Sequence, residues 1–174
     1  MNPVQLPLLD EDGCRELESE LVDRIYDFNV DATGYADGRL IGGAIRNDAG
    51  DLIAGYSGHT WGGCCVITHL WVAQSFRGRG LGRQLLESAE TEALRRNCGH
   101  AIVSTHSFQA PGFYERMGFC RVATVADWPA GHSAAIYCRV VPRTAGTMQL
   151  LHDQHVHGGD SSGATSNDAV RESV

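Results

Sequence analysis

The 174-residue chain contains no lysine: all fourteen basic residues are arginine, set against 21 Asp and Glu, for a net charge of −7. A chain this acidic lacks the basic face that general nucleic-acid binding requires, so no nucleic-acid partner is expected. No stretch approaches the eighteen consecutive apolar residues of a membrane span, so no membrane association is expected. Met1 to Leu9 carries Pro3 and Pro7 and no basic flank, unlike a secretory signal, which makes the cytoplasm the expected location. The six cysteines form no Cys-x-x-Cys pair, and adjacent Cys64 and Cys65 would project to opposite faces of a strand. Reduced thiols and no metal site are therefore expected.

What is present suits one ordinary globular domain, with 43% hydrophobic and 20% charged residues. Residues 1–141 read as that domain. Residues 142–174, rich in glycine, serine, threonine and histidine, read as a polar, disordered tail whose His152, His155 and His157 form a solvated cluster. Val4–Leu9 is a candidate edge strand. Asp10 or Asp12 can cap a helix reaching about Phe28, with Leu17, Leu21, Ile25 and Phe28 on one stripe. Arg39–Arg46 and Leu52–Thr60 read as strands joined by the turn Asn47–Asp51, and Cys64–Val72 as a third strand. A helix over about 81–97 precedes a short strand at Ala101–Ser104. A second helix starts near Gln109, and strands at Phe119–Val125 and Ala134–Val141 close the sheet. The fold class is α/β in composition and α+β in arrangement. It is a mixed, mainly antiparallel sheet of six to seven strands with helices on both faces.

The most informative segment is Arg77-Gly78-Arg79-Gly80-Leu81-Gly82, between an apolar strand and a helix. A glycine turn opening a helix is suited to phosphate, because backbone amides and the helix dipole converge there and no Cβ intervenes. Arg77, Arg79 and Arg83 are candidate charge partners. The turn has no Gly-Lys-Ser/Thr ending, so it is not a Walker loop. A Gly-x-Gly-x-x-Gly dinucleotide pattern fails as well, since Arg83 or Leu85 stands where its last glycine belongs.

The residues that do fit are Arg77, Gly80 and Gly82, as R/Q-x-x-G-x-G/A. About thirty residues on, Ser107 to Phe119 (SFQAPGFYERMGF) matches A-x-x-[LF]-Y-[ED]-[KR]-x-G-F. Together these resemble the GNAT superfamily of acetyltransferases, over residues 39 to 141, with a cofactor core at about 64–119. The resemblance implies a GNAT-like sheet, acetyl-CoA as cosubstrate and transfer of an acetyl group to an amine. It implies that backbone groups of Leu70, Trp71 and Val72 receive the pantetheine and the acetyl carbonyl. The amides from Gly78 through Leu81 to Gly82 would hold the pyrophosphate. Tyr114 would be the general acid that protonates the departing sulfur; a phenol of pKa near 10 is suited to that. Ser107 stands where the family often has asparagine, a hydroxyl that can still touch the pantetheine. A possible homodimer is also a family-level expectation.

For the base, the residues offer His69 on the third strand and His106 after the strand expected beside it. Many members of the superfamily use an ordered water path instead. Strand alternation sets His69 opposite Leu70 and Val72 unless a bulge intervenes. The acceptor is expected to be a small cationic amine. Residues 1–37 hold ten acidic residues against two arginines, and the first helix borders the acceptor cleft in this superfamily, so Asp23, Asp27 and Asp31 could supply an attracting field. Trp61, Trp128 and Tyr56 are candidate pocket aromatics. A protein or peptide acetyltransferase and a non-catalytic acyl-CoA sensor are the alternatives.

Overall fold

The structure, a computed structural model, describes residues 7–142. The elements are α1 (Glu11–Thr33), β1 (Arg39–Arg46), β2 (Leu52–Trp61), β3 (Cys64–Val72), a 3-10 turn at Gln74–Phe76, α2 (Leu81–Arg95), β4 (His100–His106), α3 (Pro111–Arg116), β5 (Cys120–Ala126) and β6 (Ser133–Val140). They form one six-stranded sheet in the order β1-β2-β3-β4-β6-β5, antiparallel except for the β3–β4 pair. The mixed, mainly antiparallel sheet is as expected. A seventh strand at Val4–Leu9 is not formed by its described part, since Leu8 and Leu9 are irregular and exposed. The histidines of the expected tail lie outside the described residues.

Asp10 caps α1 through its carboxylate, which accepts from the Gly13 N–H at 2.8 Å. The helix runs five residues beyond the expected end at Phe28, because nothing from Asn29 to Thr33 breaks it. Gly34 then stops it at φ 75°, its N–H donating to the Val30 carbonyl. No residue of α1 is buried, and its stripe of Leu17, Leu21, Ile25 and Phe28 stays exposed.

α2 follows the expected periodicity and buries Leu85, Leu86, Ala89 and Ala93 against β1 to β3. Full burial of each leucine is worth about 1.5–3 kcal/mol. The helix ends at Arg95, and Asn97 (φ 59°) takes the left-handed position beyond it. α3 begins at Pro111, two residues later than expected, because the Gln109 side chain is already used: its Oε1 accepts from the His106 N–H and from Thr105 Oγ1. The core joins α2, α3 and one sheet face through Tyr56, Ile67, Leu86, Tyr114, Phe119 and Tyr137.

Two irregularities of β3 shape the site. Ser57 pairs with His69 while Gly58 pairs with Ile67, so Thr68 is the extra residue of a β-bulge. The bulge returns Leu70 and Val72 to the core side that Ile67 occupies and leaves His69 exposed. His69 thus stays on the face opposite Leu70 and Val72, as strand alternation sets it. Gly58 sits directly against this step, where a Cβ would lie 2.0 Å from the Val66 carbonyl oxygen. The second irregularity is the parallel β3–β4 ladder, which runs only from Cys64/His100 to Ile67/Val103. Beyond it β3 stays with β2 as far as Val72 and β4 stays with β6 as far as His106, so the two strands diverge.

Candidate active site

The divergence of β3 and β4 opens a cleft of about 700 Å³, walled by residues 68–72 of β3, by Val103–His106 of β4, and by Arg77, Phe108, Gln109 and Tyr114. The backbone of Thr68–Val72 has no ladder partner on the β4 side. Its peptide groups therefore face the cleft instead of a neighbouring strand. Arg77 fixes the lower end, its Nε donating to the Val72 carbonyl at 3.1 Å.

Below lies a second hollow of about 400 Å³, lined by Leu70, Val72, Phe76, Arg77, Gly78, Gly80, Leu81, Gly82, Arg83, Phe113, Arg116 and Met117. Gly78 and Gly80 take φ of 75° and 83°, and Gly80 is the residue from which α2 starts. A left-handed N-cap with no side chain turns the first amides of a fifteen-residue helix outward, and nothing lies within 4 Å of a Cβ at either glycine. At Gly82 a Cβ would meet Phe113 at 3.3 Å, so the turn and α3 are closely apposed. Among the described residues, three arginines and no carboxylate line this hollow, and the upper cleft also has no carboxylate in its wall. This donor set fits a pyrophosphate joined to an apolar arm, as in coenzyme A.

Tyr114 stands in the wall of the cleft with its ring 6% exposed, edge-on to Phe113 and Phe119 at centroid distances of 5.1 and 5.9 Å. Burial pushes its phenol above the usual value near 10. No hydrogen bond to its hydroxyl is formed among the described residues. His69 and His106 both line the cleft. Nδ1 of His69 lies 3.2 Å from Ser57 Oγ, and the His106 ring stacks on Phe108 at 5.3 Å.

Other candidates are placed elsewhere. The Arg79 guanidinium lies over the Phe76 ring, 5.1 Å from its centroid, and is not among the residues lining either hollow. Ser107 is tied to the start of β6, its N–H donating to the Ser133 carbonyl and its Oγ accepting from the Ser133 N–H. Tyr56 is core, its hydroxyl 3.3 Å from Ser88 Oγ. Trp61 donates its indole N–H to the Tyr35 carbonyl and lines a separate hollow of about 850 Å³ beside α1. Acidic α1 does not border the cleft. Its C-terminal connection is pinned at the β2–β3 turn, where Asp37 accepts from the Gly62 N–H. That turn lies at the other end of β3 from Trp71, roughly 25 Å away at strand rise. The sequence reading assigned no role to Arg116, Phe113 or Gln109. The signal for the first two was their helical spacing about Tyr114, which sets them beside the glycine turn.

These features of fold and site are those of acyl-CoA-dependent transferases. A family model described as Acetyltransferase (GNAT) family matches residues 8–119. An acetyltransferase of Agrobacterium fabrum (strain C58 / ATCC 33970) is 33% identical over 126 residues, covering 72% of this chain and 92% of the relative. The blasticidin-S acetyltransferase of Streptomyces morookaense is 39% identical over 85 residues, 48% of this chain and 62% of that protein. A crystal structure described as an acetyltransferase from Agrobacterium tumefaciens superposes with a TM-score of 0.69 at 31% identity, over 80% of this chain and 99% of that one. The chain belongs to the GNAT acetyltransferase family and is an acyltransferase that uses acetyl-CoA.

Proposed function

We propose that the protein transfers the acetyl group of acetyl-CoA to a primary amine of a small cationic molecule, by direct attack of the neutral amine on the thioester. The observation that carries this reading is the β3–β4 cleft, continuous through Leu70, Val72 and Arg77 with the glycine turn and walled by Tyr114. The amides of Gly78 to Gly82, with Arg77, Arg83 and Arg116, hold the pyrophosphate. The peptide groups of Thr68–Val72 that have no ladder partner on the β4 side hold the arm and the acetyl carbonyl. Acetyl-CoA supplies an activated acyl group and a thiolate leaving group. Tyr114, kept protonated by burial, donates its hydroxyl proton toward the sulfur. His69 and His106 are the titratable side chains placed to take the proton of the amine. Ser107 and Arg79 contribute through the backbone of their loops, since their side chains are engaged with β6 and Phe76.

A small acceptor is supported by the blasticidin-S acetyltransferase among the relatives. The test is CoA release across polyamines, basic antibiotics, amino acids and basic peptides. Turnover confined to peptides would instead make the protein a peptide acetyltransferase. CoA binding with no turnover would make it a sensor. A homodimer belongs to the same reading, supported by the apolar stripe that α1 leaves exposed. Sedimentation at the single-chain mass of 18.8 kDa would overturn it. A cytoplasmic setting agrees with six cysteines of which none forms a disulfide.

A further inference from the structure

Four aromatic rings from three chain segments meet at the mouth of the Tyr114 cleft. His106 ends β4, Phe108 follows in the loop to α3, and Trp128 and His132 come from the β5–β6 connection. Phe108 stacks on His106 at 5.3 Å and 18°, Trp128 stands edge-on to His106 at 5.6 Å, and His132 is edge-on to Phe108 at 4.9 Å. Packing does not account for their position. Phe108 is 55% exposed and Trp128 57% exposed, so two large aromatic side chains are turned to water around one imidazole, that of His106. Single exposed aromatics are common; a cluster continuous with a reaction cleft marks a binding surface. The continuity is direct, because His106 and Phe108 belong to the wall of the cleft itself.

Charge then selects the ligand. Among the described residues no carboxylate lines the cleft, so none of them holds the reacting amine in its unreactive ammonium form. A carboxylate in the wall would have raised that amine's pKa. A second positive charge on the acceptor needs an attractive surface outside the cleft, and ring faces provide one through their quadrupoles. A planar, weakly hydrated cation is matched best, since it can lie flat on a ring. Its own charge also disfavours protonation of a nearby amine. Asp127, exposed on the Trp128 loop, adds a negative charge at the same rim; its Oδ1 accepts from the Gly131 N–H.

We propose that Phe108 and Trp128 form the acceptor platform of this enzyme and that it receives a guanidinium or similar planar cation carried a few bonds from the reacting amine. This rests on the acetyltransferase reading above, whose acceptor it specifies.

The test is calorimetric binding of agmatine, a primary amine with a guanidinium, to protein saturated with CoA. 4-Ureidobutylamine, which keeps the amine but carries a neutral, equally planar urea in place of the guanidinium, serves as comparison. Agmatine should bind more tightly than the urea. Phe108→Ala and Trp128→Ala should each weaken agmatine about 2- to 30-fold, the range of a desolvated cation–ring contact. Trp128→Phe, which keeps a ring face, should recover most of the affinity, and CoA affinity should be the same in both Trp128 variants, whose position does not line the cleft. No agmatine binding, equal affinity for agmatine and the urea, or alanine variants indistinguishable from wild type would each overturn the platform. Acetyl transfer to a panel of simple amines, measured alongside, separates the two proposals. Transfer without ring-dependent agmatine binding leaves the transferase and removes the platform. Ring-dependent binding with no transfer to any amine does the reverse.

Discussion

Replacing Gly58 with alanine tests whether the bulge in β3 builds the cleft. The new Cβ would lie 2.0 Å from the Val66 carbonyl oxygen, 3.0 Å from its carbon and 3.1 Å from Ile67 Cα. All three are backbone atoms, so no side chain can turn aside. Relief requires the two strands to separate by about 1.5 Å, given that unbonded heavy atoms settle near 3.5 Å. Overpacking of this kind costs about 1–3 kcal/mol, and an unyielding opponent argues for the upper half of that range. At about 2–4 °C per kcal/mol for a chain of this size, the melting temperature should fall by about 4–12 °C. The strained segment leads directly into Thr68-His69-Leu70, the residues that line the cleft. A displacement of about 1 Å there can cost about 100-fold in kcat. Gly55→Ala on the same strand is the control: its Cβ meets the Gly43 carbonyl oxygen at 3.1 Å, away from the bulge. Thermal melts and acetyl-transfer rates of the two variants decide the matter. If Gly58→Ala melts and turns over like Gly55→Ala, the bulge does not set the geometry of the site.

Three further outcomes follow from the same structure. Tyr114→Phe keeps the packed ring and removes a hydroxyl that no described residue engages, so stability should change by less than about 0.5 kcal/mol. Yet kcat should fall about 10²- to 10⁴-fold with CoA affinity retained, and unchanged turnover would remove Tyr114 from the mechanism. Burial raises the Cys65 thiol to about 12, and Cys65 and Cys98 are each 1% exposed. In the native protein a thiol reagent should therefore label Cys14 and Cys120, both exposed, well before this buried pair, and equal rates would contradict the packing. Hydrogen bonds from Arg95 and then Arg96 lower the Glu92 carboxyl to about 2, and those from Arg121 and Tyr137 lower Glu115. Both folded values lie below their unfolded ones, so the stabilisation is present above about pH 4.5 and lost as pH falls toward 2. Glu92→Gln combined with Glu115→Gln should flatten the acid limb of a stability curve between those limits. A limb as steep as wild type would assign acid unfolding to other groups.

The strand–turn–helix around Gly78–Gly82 was legible in the sequence because its cause is local: glycines tolerate left-handed angles, and the helix that follows carries its own apolar period. Tyr114 was legible for a similar reason, as part of a short motif on one helix. The β-bulge at Thr68 was not, because it depends on how Gly58 of β2 meets Val66 of β3, a contact between strands that no spacing within β3 encodes. Strand alternation could only leave it open. The long stripe of α1 suggested a packed helix, and the family resemblance set that helix beside the cleft. The structure instead anchors its C-terminal end at the β2–β3 turn through Asp37 and Trp61, and the stripe stays exposed. Periodicity reports that a face is apolar and says nothing of what it meets. The meeting of Phe108, Trp128, His106 and His132 was equally out of reach, since it depends on β6 lying between β4 and β5 and bringing a distant loop to the mouth of the cleft. The sequence by itself thus determined the glycine turn and the Tyr114 helix, which are written in contiguous residues. Only the tertiary structure decided the cleft between β3 and β4 and the ring cluster at its mouth, because side chains far apart in the chain become neighbours only when the sheet forms.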